Sequence, residues 1–255
     1  MIIGIIPARF ASTRLMGKPL ANIGGKPMIQ HTYESASKSK LIEKLILAVD
    51  DSKVASVARG FGADVIETPK EIASGSDRIA YVAKPYKEAD IIVNIQGDEP
   101  FINPEMIDQA IEPLLFDKTI EVATLIKQIS SLKELKSPDV VKVVFDYNNF
   151  ALYFSRSQIP FARNAISEAA ALDTINYFKH LGLYVFRRKA LLKFTNLKQT
   201  DLEKTEMLEQ LRMLENGMKI KVVETEYDSI SVDTQENLKR ARTFYKWLQK
   251  KDQEK

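Results

Sequence analysis

The residues whose types and spacing could do chemistry begin with three cations near the start of the chain. Arg9, Arg14 and Lys18 follow a short apolar run over residues 2–6, and small residues and a glycine lie between them. A polyphosphate needs closely approaching backbone N–H donors with cations around them, and this loop offers both. A solvated basic loop has the same composition. Ligands of open α/β sheets bind at the carboxyl ends of strands, however, which favours phosphate binding here.

Two carboxylates could complete a metal site beside such phosphates. Asp98 follows the apolar run 91–95, and Asp233 lies in a late Val-Asp-Thr segment. Magnesium usually takes one or two protein carboxylates and completes its shell with water and phosphate oxygens. Asp98 could equally belong to a Gly-Asp turn without a ligand. Asp233 could be the N-cap of the helix that follows, unless Thr234 takes that role.

Four further polar residues have an ordinary structural interpretation beside a functional one. Ser74 precedes a helix, where backbone N–H groups could meet a base or a phosphate, or where its side chain could simply cap that helix. Arg78 could likewise form only a surface salt bridge. Arg156 ends an apolar strand, so it either pairs with a carboxylate of the fold or faces an anionic ligand. His180 could contact a substrate carboxylate or hydroxyl, although a lone histidine is more often structural.

The elements that must position these side chains alternate between strands and helices. Apolar runs predict strands over 2–6, 45–49, 63–67 and 91–95, and 3–4 residue spacing predicts helices over 27–37, 54–61, 76–83 and from 104. This order predicts a parallel, doubly wound α/β sheet with right-handed crossovers.

The pattern changes after residue 120. Strands are predicted over 122–126, 140–145 and 150–155, and the turn 146–149 makes the last two a β-hairpin. Residues 163–178 are polar and alanine-rich, the best candidate for a mobile or oligomer-forming insertion. A strand over 182–186, a helix over 205–215, a strand over 219–223 and a helix over 234–249 complete the chain.

Composition excludes several classes of function. The 255 residues are 45% hydrophobic and 28% charged, as in an ordinary globular protein. A net charge of +3 is too small to argue for nucleic acid or a membrane as partner. The absence of cysteine excludes disulfides and thiolate catalysis and fits a reducing cytoplasm. No run approaches a membrane helix, and no signal peptide is expected.

Taken together, the motifs resemble those of the 3-deoxy-manno-octulosonate cytidylyltransferases, the CMP-KDO synthetases of lipopolysaccharide biosynthesis. The matching segments are 6–9, 12–15, 17–20, 25–28, 74–78, 96–100, 141–146, 151–160, 180–182, 206–212 and 232–234. They cover nearly the whole chain in order. Met16 departs from the pattern, since a proline is usual there.

The resemblance implies that CTP and 3-deoxy-D-manno-octulosonate (KDO) react to CMP-KDO and pyrophosphate, with Mg²⁺, in a cytoplasmic homodimer. It implies a nucleotide-diphospho-sugar transferase-like fold with a smaller β-hairpin and dimerisation subdomain. One domain would span 1–255, with a nucleotide-binding part (1–125), a sugar-acid and dimerisation part (126–200) and a C-terminal part closing the metal site (201–255). The same reaction on 8-amino-3,8-dideoxy-manno-octulosonate is the alternative, since Asp77-Arg78 and residues 227–230 look like the subset that uses it.

The resemblance also assigns residues to roles. The catalytic residues implied are Arg14, Lys18, Asp98 and Asp233, of which Asp98 and Asp233 ligate the metal. The nucleotide-binding residues implied are Pro7, Ala8, Arg9, Arg14, Lys18, Ala73, Ser74, Arg78 and Gln96. The sugar-acid-binding residues implied are Gln96, Arg156, His180, Tyr184, Glu209 and Gln210.

Overall fold

A computed structural model describes residues 1–11 and 15–253 of the chain. The strands are β1 (Ile2–Ala8), β2 (Asn22–Ile23), β3 (Lys26–Pro27), β4 (Lys44–Val49), β5 (Asp64–Glu67), β6 (Ile91–Asn94), β7 (Val122–Gln128), β8 (Lys142–Phe145), β9 (Ala151–Ser155), β10 (Phe178–Arg187) and β11 (Ile220–Glu224). The helices are α1 (Met28–Ala36), α2 (Ser52–Gly60), α3 (Gly75–Ala83), α4 (Pro104–Phe116), α5 (Leu132–Lys136), α6 (Glu168–Thr174), α7 (Arg188–Thr195), α8 (Asp201–Glu206), α9 (Glu209–Glu215) and α10 (Gln235–Gln253). None of the helices in these described ranges is long and apolar enough to cross a membrane.

The chain forms two compact units. The first comprises residues 1–108 together with 228–255, and the second comprises residues 109–227. The C-terminal segment thus belongs to the same unit as the start of the chain. Side chains from both segments share one apolar cluster. Leu15, Ile23 and Met28 pack in this cluster with Val232 and Leu238.

The first unit contains four parallel strands in the order β6-β1-β4-β5. The apolar runs of β1 and β4 are almost entirely buried, as expected for parallel strands covered on both faces. The predicted α/β class with a mostly parallel sheet is thereby confirmed. The predicted helix start at Pro27 is wrong by one residue, because Pro27 has extended backbone (ψ 146°) and caps a helix that begins at Met28.

The second unit combines antiparallel and parallel pairing. β7 lies between β10, which is antiparallel to it, and β11, which is parallel to it. β10 also pairs with β8, and β8 and β9 form the predicted antiparallel hairpin. β10 is longer than the predicted strand 182–186, and its register with β7 shifts between Leu181 and Tyr184. The predicted insertion 163–178 contains the short helix α6.

The single helix predicted over 205–215 is wrong. Two helices, α8 and α9, occupy this region, and Met207 between them has left-handed backbone (φ 53°). Leucines at 208, 211 and 214 follow helical spacing, but periodicity of apolar residues cannot show a left-handed break between them. The break leaves carbonyl groups at residues 206 and 207 to be satisfied from elsewhere, and Arg156 donates to both.

Candidate active site

A cavity of about 400 Å³ lies in the first unit, where β1 and β6 end. Its volume falls in the range usual for small-molecule sites. The residues that line it are Pro7, Ala8, Arg9, Ala11, Lys18, Pro19, Met28, Gly75, Gln96, Gly97, Asp98 and Asp233. Seven of the residues assigned from the sequence therefore surround one space, although they come from positions as far apart as 7 and 233.

Lys18 and two carboxylates form the charged centre of this cavity. Lys18 Nζ lies 2.7 Å from Asp98 Oδ2 and 2.9 Å from Asp233 Oδ1. All three side chains are largely buried, with exposed fractions of 17%, 21% and 31%. Burial lowers the pKa of Lys18, but the charges and hydrogen bonds of Asp98 and Asp233 outweigh it and hold that pKa above its ordinary value. The ammonium group is therefore fixed in its charged form.

The structure shows that Asp233 is not the N-cap of the helix that follows it. Thr234 is the N-cap of α10, because its Oγ1 accepts a hydrogen bond from the backbone N–H of Asn237 at 3.2 Å. In return, Asn237 Oδ1 accepts from the backbone N–H of Thr234 at 3.1 Å. This reciprocal arrangement leaves the helix end satisfied without the Asp233 carboxylate, which instead points at Lys18.

Asp98 is placed by a close approach between two strand ends. A Cβ atom on Gly97 would lie 2.5 Å from the carbonyl oxygen of Pro7, so only glycine fits here without a backbone shift. The carbonyl oxygen of Asp98 accepts from the backbone N–H of Val232 at 2.9 Å, which joins this turn to the segment carrying Asp233. Two distant segments thus bring their carboxylates to one point.

Glu99, next in the chain, is a buried acid that the sequence interpretation overlooked. Burial, then the neighbouring Asp98 charge, raises the pKa of Glu99 to about 8, while a hydrogen bond from Ser229 opposes the rise. Glu99 is consequently protonated at neutral pH. No periodicity or motif in the sequence shows that Glu99 is buried.

The basic loop is anchored by a residue that the sequence interpretation also missed. Asp50, at the end of β4, accepts from the backbone N–H of Phe10 at 3.0 Å through Oδ1 and from Arg78 at 3.2 Å through Oδ2. Arg9 donates to the carbonyl oxygen of Ile72 at 3.0 Å. The position of Asp50 directly after a buried strand was the available sequence signal. Arg14, assigned to the triphosphate, lies outside the described residues.

The residues assigned to the cytidine end have structural partners. Ser74 caps α3 by accepting from the backbone N–H of Asp77 at 3.0 Å, so the N-cap interpretation of Ser74 is correct. Arg78 is fully buried and bonds Asp50 and Thr68, which makes the surface salt bridge interpretation wrong. Ala73 lies directly before the capping serine. A contact of these residues with a nucleotide base stays a prediction.

The residues of the cavity fit a magnesium ion shared with phosphates. Asp98 and Asp233 aim one oxygen each at the same cation, Lys18 Nζ. Within the ranges that the structure describes, no group of three or more acidic, histidine or cysteine side chains is arranged to hold a metal alone. Two carboxylates with phosphate and water oxygens are the set that Mg²⁺ ordinarily takes.

The second unit contains the histidine and tyrosine assigned to the sugar acid. His180 Nε2 lies 2.9 Å from Thr124 Oγ1, and its ring packs edge-on against Phe154. Burial lowers the pKa of His180 to about 3, so the ring is neutral at physiological pH. Tyr184 lies beside it, with ring centroids 5.2 Å apart and ring planes tilted by 50°, and its buried hydroxyl has no hydrogen-bond partner among the described residues. Burial, then the charge of Glu209, raises the pKa of Tyr184 well above its ordinary value.

The Arg156 guanidinium is held by main-chain carbonyl groups of the fold, and its contact with an anionic ligand stays a prediction. Its guanidinium donates to carbonyl oxygens of Pro138 at 2.9 Å and Glu206 at 2.7 Å, around the left-handed Met207. The Glu206 carboxylate instead accepts from the backbone N–H of Arg156 at 3.0 Å. Buried Lys142 donates to the carbonyl oxygen of Arg156 as well, a contact with no sequence signal. Gln210, also assigned to the sugar acid, is buried in α9 of the same unit.

Comparison with known proteins agrees with a nucleotide site at the end of a parallel sheet. The sequence profile of the family described as Cytidylyltransferase matches residues 3–220. A solved structure of 4-diphosphocytidyl-2C-methyl-D-erythritol synthase from Anaerococcus prevotii, 18% identical, covers 96% of this chain and 98% of that one at a TM-score of 0.62, which shows a shared fold. The class that fold and site define is that of the cytidylyltransferases.

More similar proteins narrow this class. A 3-deoxy-manno-octulosonate cytidylyltransferase of Trichlorobacter lovleyi is 49% identical over 94% of this chain and 97% of its own length. The 3-deoxy-manno-octulosonate cytidylyltransferase of Geobacter metallireducens is 51% identical over 93% of this chain and 94% of its own length. A solved structure of CMP:2-keto-3-deoxy-manno-octonic acid synthetase complexed with CTP is 38% identical, with a TM-score of 0.89 over 96% of this chain and 98% of that one. The chain belongs to the 3-deoxy-manno-octulosonate cytidylyltransferase family.

Proposed function

We propose that this enzyme transfers CMP from CTP to the anomeric hydroxyl of KDO, releasing pyrophosphate, as a step of lipopolysaccharide biosynthesis. Relatives about 49% identical over almost the whole chain carry the name of this activity. The observation that supports it most is the convergence of Lys18, Asp98 and Asp233 in one cavity. The joint presence of Arg14, Lys18, Asp98 and Asp233 disfavours a nucleotide-binding protein without catalysis.

The triphosphate would bind in the cavity of the first unit. Arg9 and Lys18 line this cavity and offer positive charge, and Arg14 belongs to the same loop of the sequence. Pro7, Ala8 and Gln96 line it too. Cations near the β- and γ-phosphates would stabilise the charge that grows on pyrophosphate as it leaves.

In the reaction the anomeric oxygen of KDO forms a bond to the α-phosphorus of CTP. The bond from that phosphorus to the oxygen bridging the α- and β-phosphates breaks, pyrophosphate leaves, and the hydroxyl proton passes to solvent. Because CTP and the sugar acid are both anionic, catalysis consists mainly of positioning and charge neutralisation.

Magnesium is the cofactor that we propose, with Asp98 and Asp233 as its protein ligands. When bound, Mg²⁺ supplies Lewis-acid stabilisation of the α-phosphate and lowers the pKa of the attacking hydroxyl. The contact between Asp98 and Val232 and the capping of α10 by Thr234 keep the two carboxylates aimed at one point. The two carboxylates are therefore already close to each other in the folded chain, around Lys18 Nζ.

For the sugar acid we propose contacts with His180, Tyr184, Glu209 and Gln210. The unpartnered Tyr184 hydroxyl supports this assignment, because a buried polar atom without a partner is costly unless a ligand satisfies it. Neutral His180 can exchange hydrogen bonds with a hydroxyl without attracting a proton. Arg156 would act by holding the break between α8 and α9, since its donors reach carbonyl groups there.

We also propose a homodimer. Phe161 and Ile166 of the second unit expose 86% and 96% of their surface, and exposed large apolar side chains close together mark interaction sites. Light scattering at two protein concentrations tests this proposal, because a monomer at both would contradict it. The cytoplasmic location stays a prediction from the sequence.

Pyrophosphate release tests the function. The protein is incubated with CTP, Mg²⁺ and either KDO, 8-amino-3,8-dideoxy-manno-octulosonate or neuraminate, and pyrophosphate is measured. We expect release that is fastest with KDO. Faster release with the 8-amino sugar would favour the alternative substrate, and release with neuraminate alone would contradict the proposal.

A further inference from the structure

Lys18 occupies the position between Asp98 and Asp233 that a metal ion would need. Its Nζ is 2.7 and 2.9 Å from the two carboxylate oxygens, and an ion bridging the same oxygens has to lie between them. We infer that Lys18 and the divalent cation compete for this carboxylate pair, so that the metal binds tightly only when a triphosphate draws Lys18 away. This inference rests on the proposed function, because it takes the nucleotide phosphates as the second partner of Lys18.

The Lys18 side chain is flexible enough for its ammonium group to exchange one ion-pair partner for another. Its ammonium sits at the end of a flexible four-carbon stem, so it can move without movement of the backbone. The backbone itself is fixed by a 3-10 turn over Lys18–Leu20, which begins after Gly17 in left-handed conformation (φ 66°). Arg9 lines the same cavity and offers a second positive charge to a triphosphate that enters it.

The competition couples the two ligands of the enzyme. Without phosphates nearby, Lys18 neutralises the carboxylates and opposes metal binding through like-charge repulsion. A triphosphate offers the ammonium a more negative partner and frees the carboxylates. Because coupling is reciprocal, Mg²⁺ should strengthen nucleotide binding by the factor by which the nucleotide strengthens Mg²⁺ binding.

Lys18→Met tests the competition without any turnover. The full-length variant and the wild type are titrated with Mn²⁺ alone, as a reporter for Mg²⁺, and free Mn²⁺ is measured by electron paramagnetic resonance. We expect the variant to bind Mn²⁺ about tenfold more tightly, because two carboxylates have lost their counter-ion. Equal or weaker binding would overturn the inference and leave Lys18 a phosphate ligand only.

Lys26→Met is the matched control, since Lys26 also pairs closely with a carboxylate, that of Glu34 at 2.7 Å, outside the cavity. It should leave the Mn²⁺ affinity unchanged. Circular dichroism establishes that each variant is folded, and Lys18→Gln takes the place of Lys18→Met should the latter fail to fold.

A second titration measures the coupling. With each protein saturated by CTP, and with the Mn²⁺ that CTP binds by itself subtracted, CTP should raise the Mn²⁺ affinity of the wild type about tenfold or more, but that of Lys18→Met by a clearly smaller factor. The same factor in both proteins would overturn the inference. Failure of the proposed function would look different, because the Mn²⁺ titration without nucleotide does not depend on the reaction or on KDO.

Discussion

Gly97→Ala tests how tightly the position of the Asp98 carboxylate depends on the approach of two backbone segments. The new Cβ atom would lie 2.5 Å from the carbonyl oxygen of Pro7, whereas ordinary contacts begin at 3.4 Å. One segment must therefore shift by about 0.9 Å, which in a well-packed region costs about 1–3 kcal/mol of folding free energy. Because β1 is buried and paired on both sides, the shift should fall mainly on residues 97–98.

The catalytic loss should exceed what the change in stability explains. A misplacement of about 1 Å at a reacting centre can lower turnover about a hundredfold, and Asp98 directly follows the substituted residue. Urea unfolding gives the free energy of unfolding, and pyrophosphate release at saturating substrates gives kcat on the folded protein.

Gly60→Ala provides the control, because Gly60 lies in helix α2 with open space around its Cβ position. It should lose neither stability nor turnover. If Gly97→Ala unfolded at the same urea concentration as the wild type and retained full kcat, the argument from the close approach would be refuted.

Three further predictions concern stability. Thr234→Ala removes the cap that Thr234 Oγ1 provides to Asn237 and should lower the free energy of unfolding by about 1 kcal/mol in urea titrations, and an unchanged value would contradict the capping geometry. Burial lowers the pKa of His180 from 6.5 to about 3, so the free energy of unfolding should fall as the pH decreases through this window. Between pH 6.5 and 5, His180→Gln should lose about 2 kcal/mol less of this free energy than the wild type. Equal losses would show that His180 is not held neutral. Glu203→Gln breaks the buried ion pair with Arg212, whose Nε donates to the Glu203 carboxylate at 2.7 Å. The substitution should lower the free energy of unfolding by about 3 kcal/mol. A change of less than about 0.5 kcal/mol in thermal and urea unfolding would contradict this.

The strand ends of the site could be predicted from the sequence because the physics there is local. Apolar runs that end in a charge predict buried parallel strands, and β1, β4 and β6 have those runs. Because ligands of open α/β sheets bind where such strands end, the sequence predicts that Lys18 and Asp98 belong to one site, and both line the same cavity.

The rest of the site depends on contacts between residues far apart in the chain. Whether Asp233 or Thr234 caps α10 follows from the side chain of Asn237, and the sequence left both open. The break at Met207 is held by Arg156, 51 residues earlier, which no spacing rule shows. Asp50 gains its role only because the chain brings Phe10 beside it.

The return of the C-terminal segment to the first unit also had no local signal. Val232 and Leu238 look like ordinary apolar residues before and within a helix, yet they pack with Leu15, Ile23 and Met28. That packing is what carries Asp233 to Lys18. It explains how two carboxylates separated by more than a hundred residues reach the same ammonium group, that of Lys18.

The most direct test of the central claim is the turnover of Asp98→Asn. The substitution keeps the size of the side chain but removes the charge that pairs with Lys18 and that the proposed metal would need. With CTP, KDO and saturating Mg²⁺, pyrophosphate release should fall by at least a hundredfold while the circular dichroism spectrum stays that of the wild type. Near-normal release from the folded variant would contradict the account of the site.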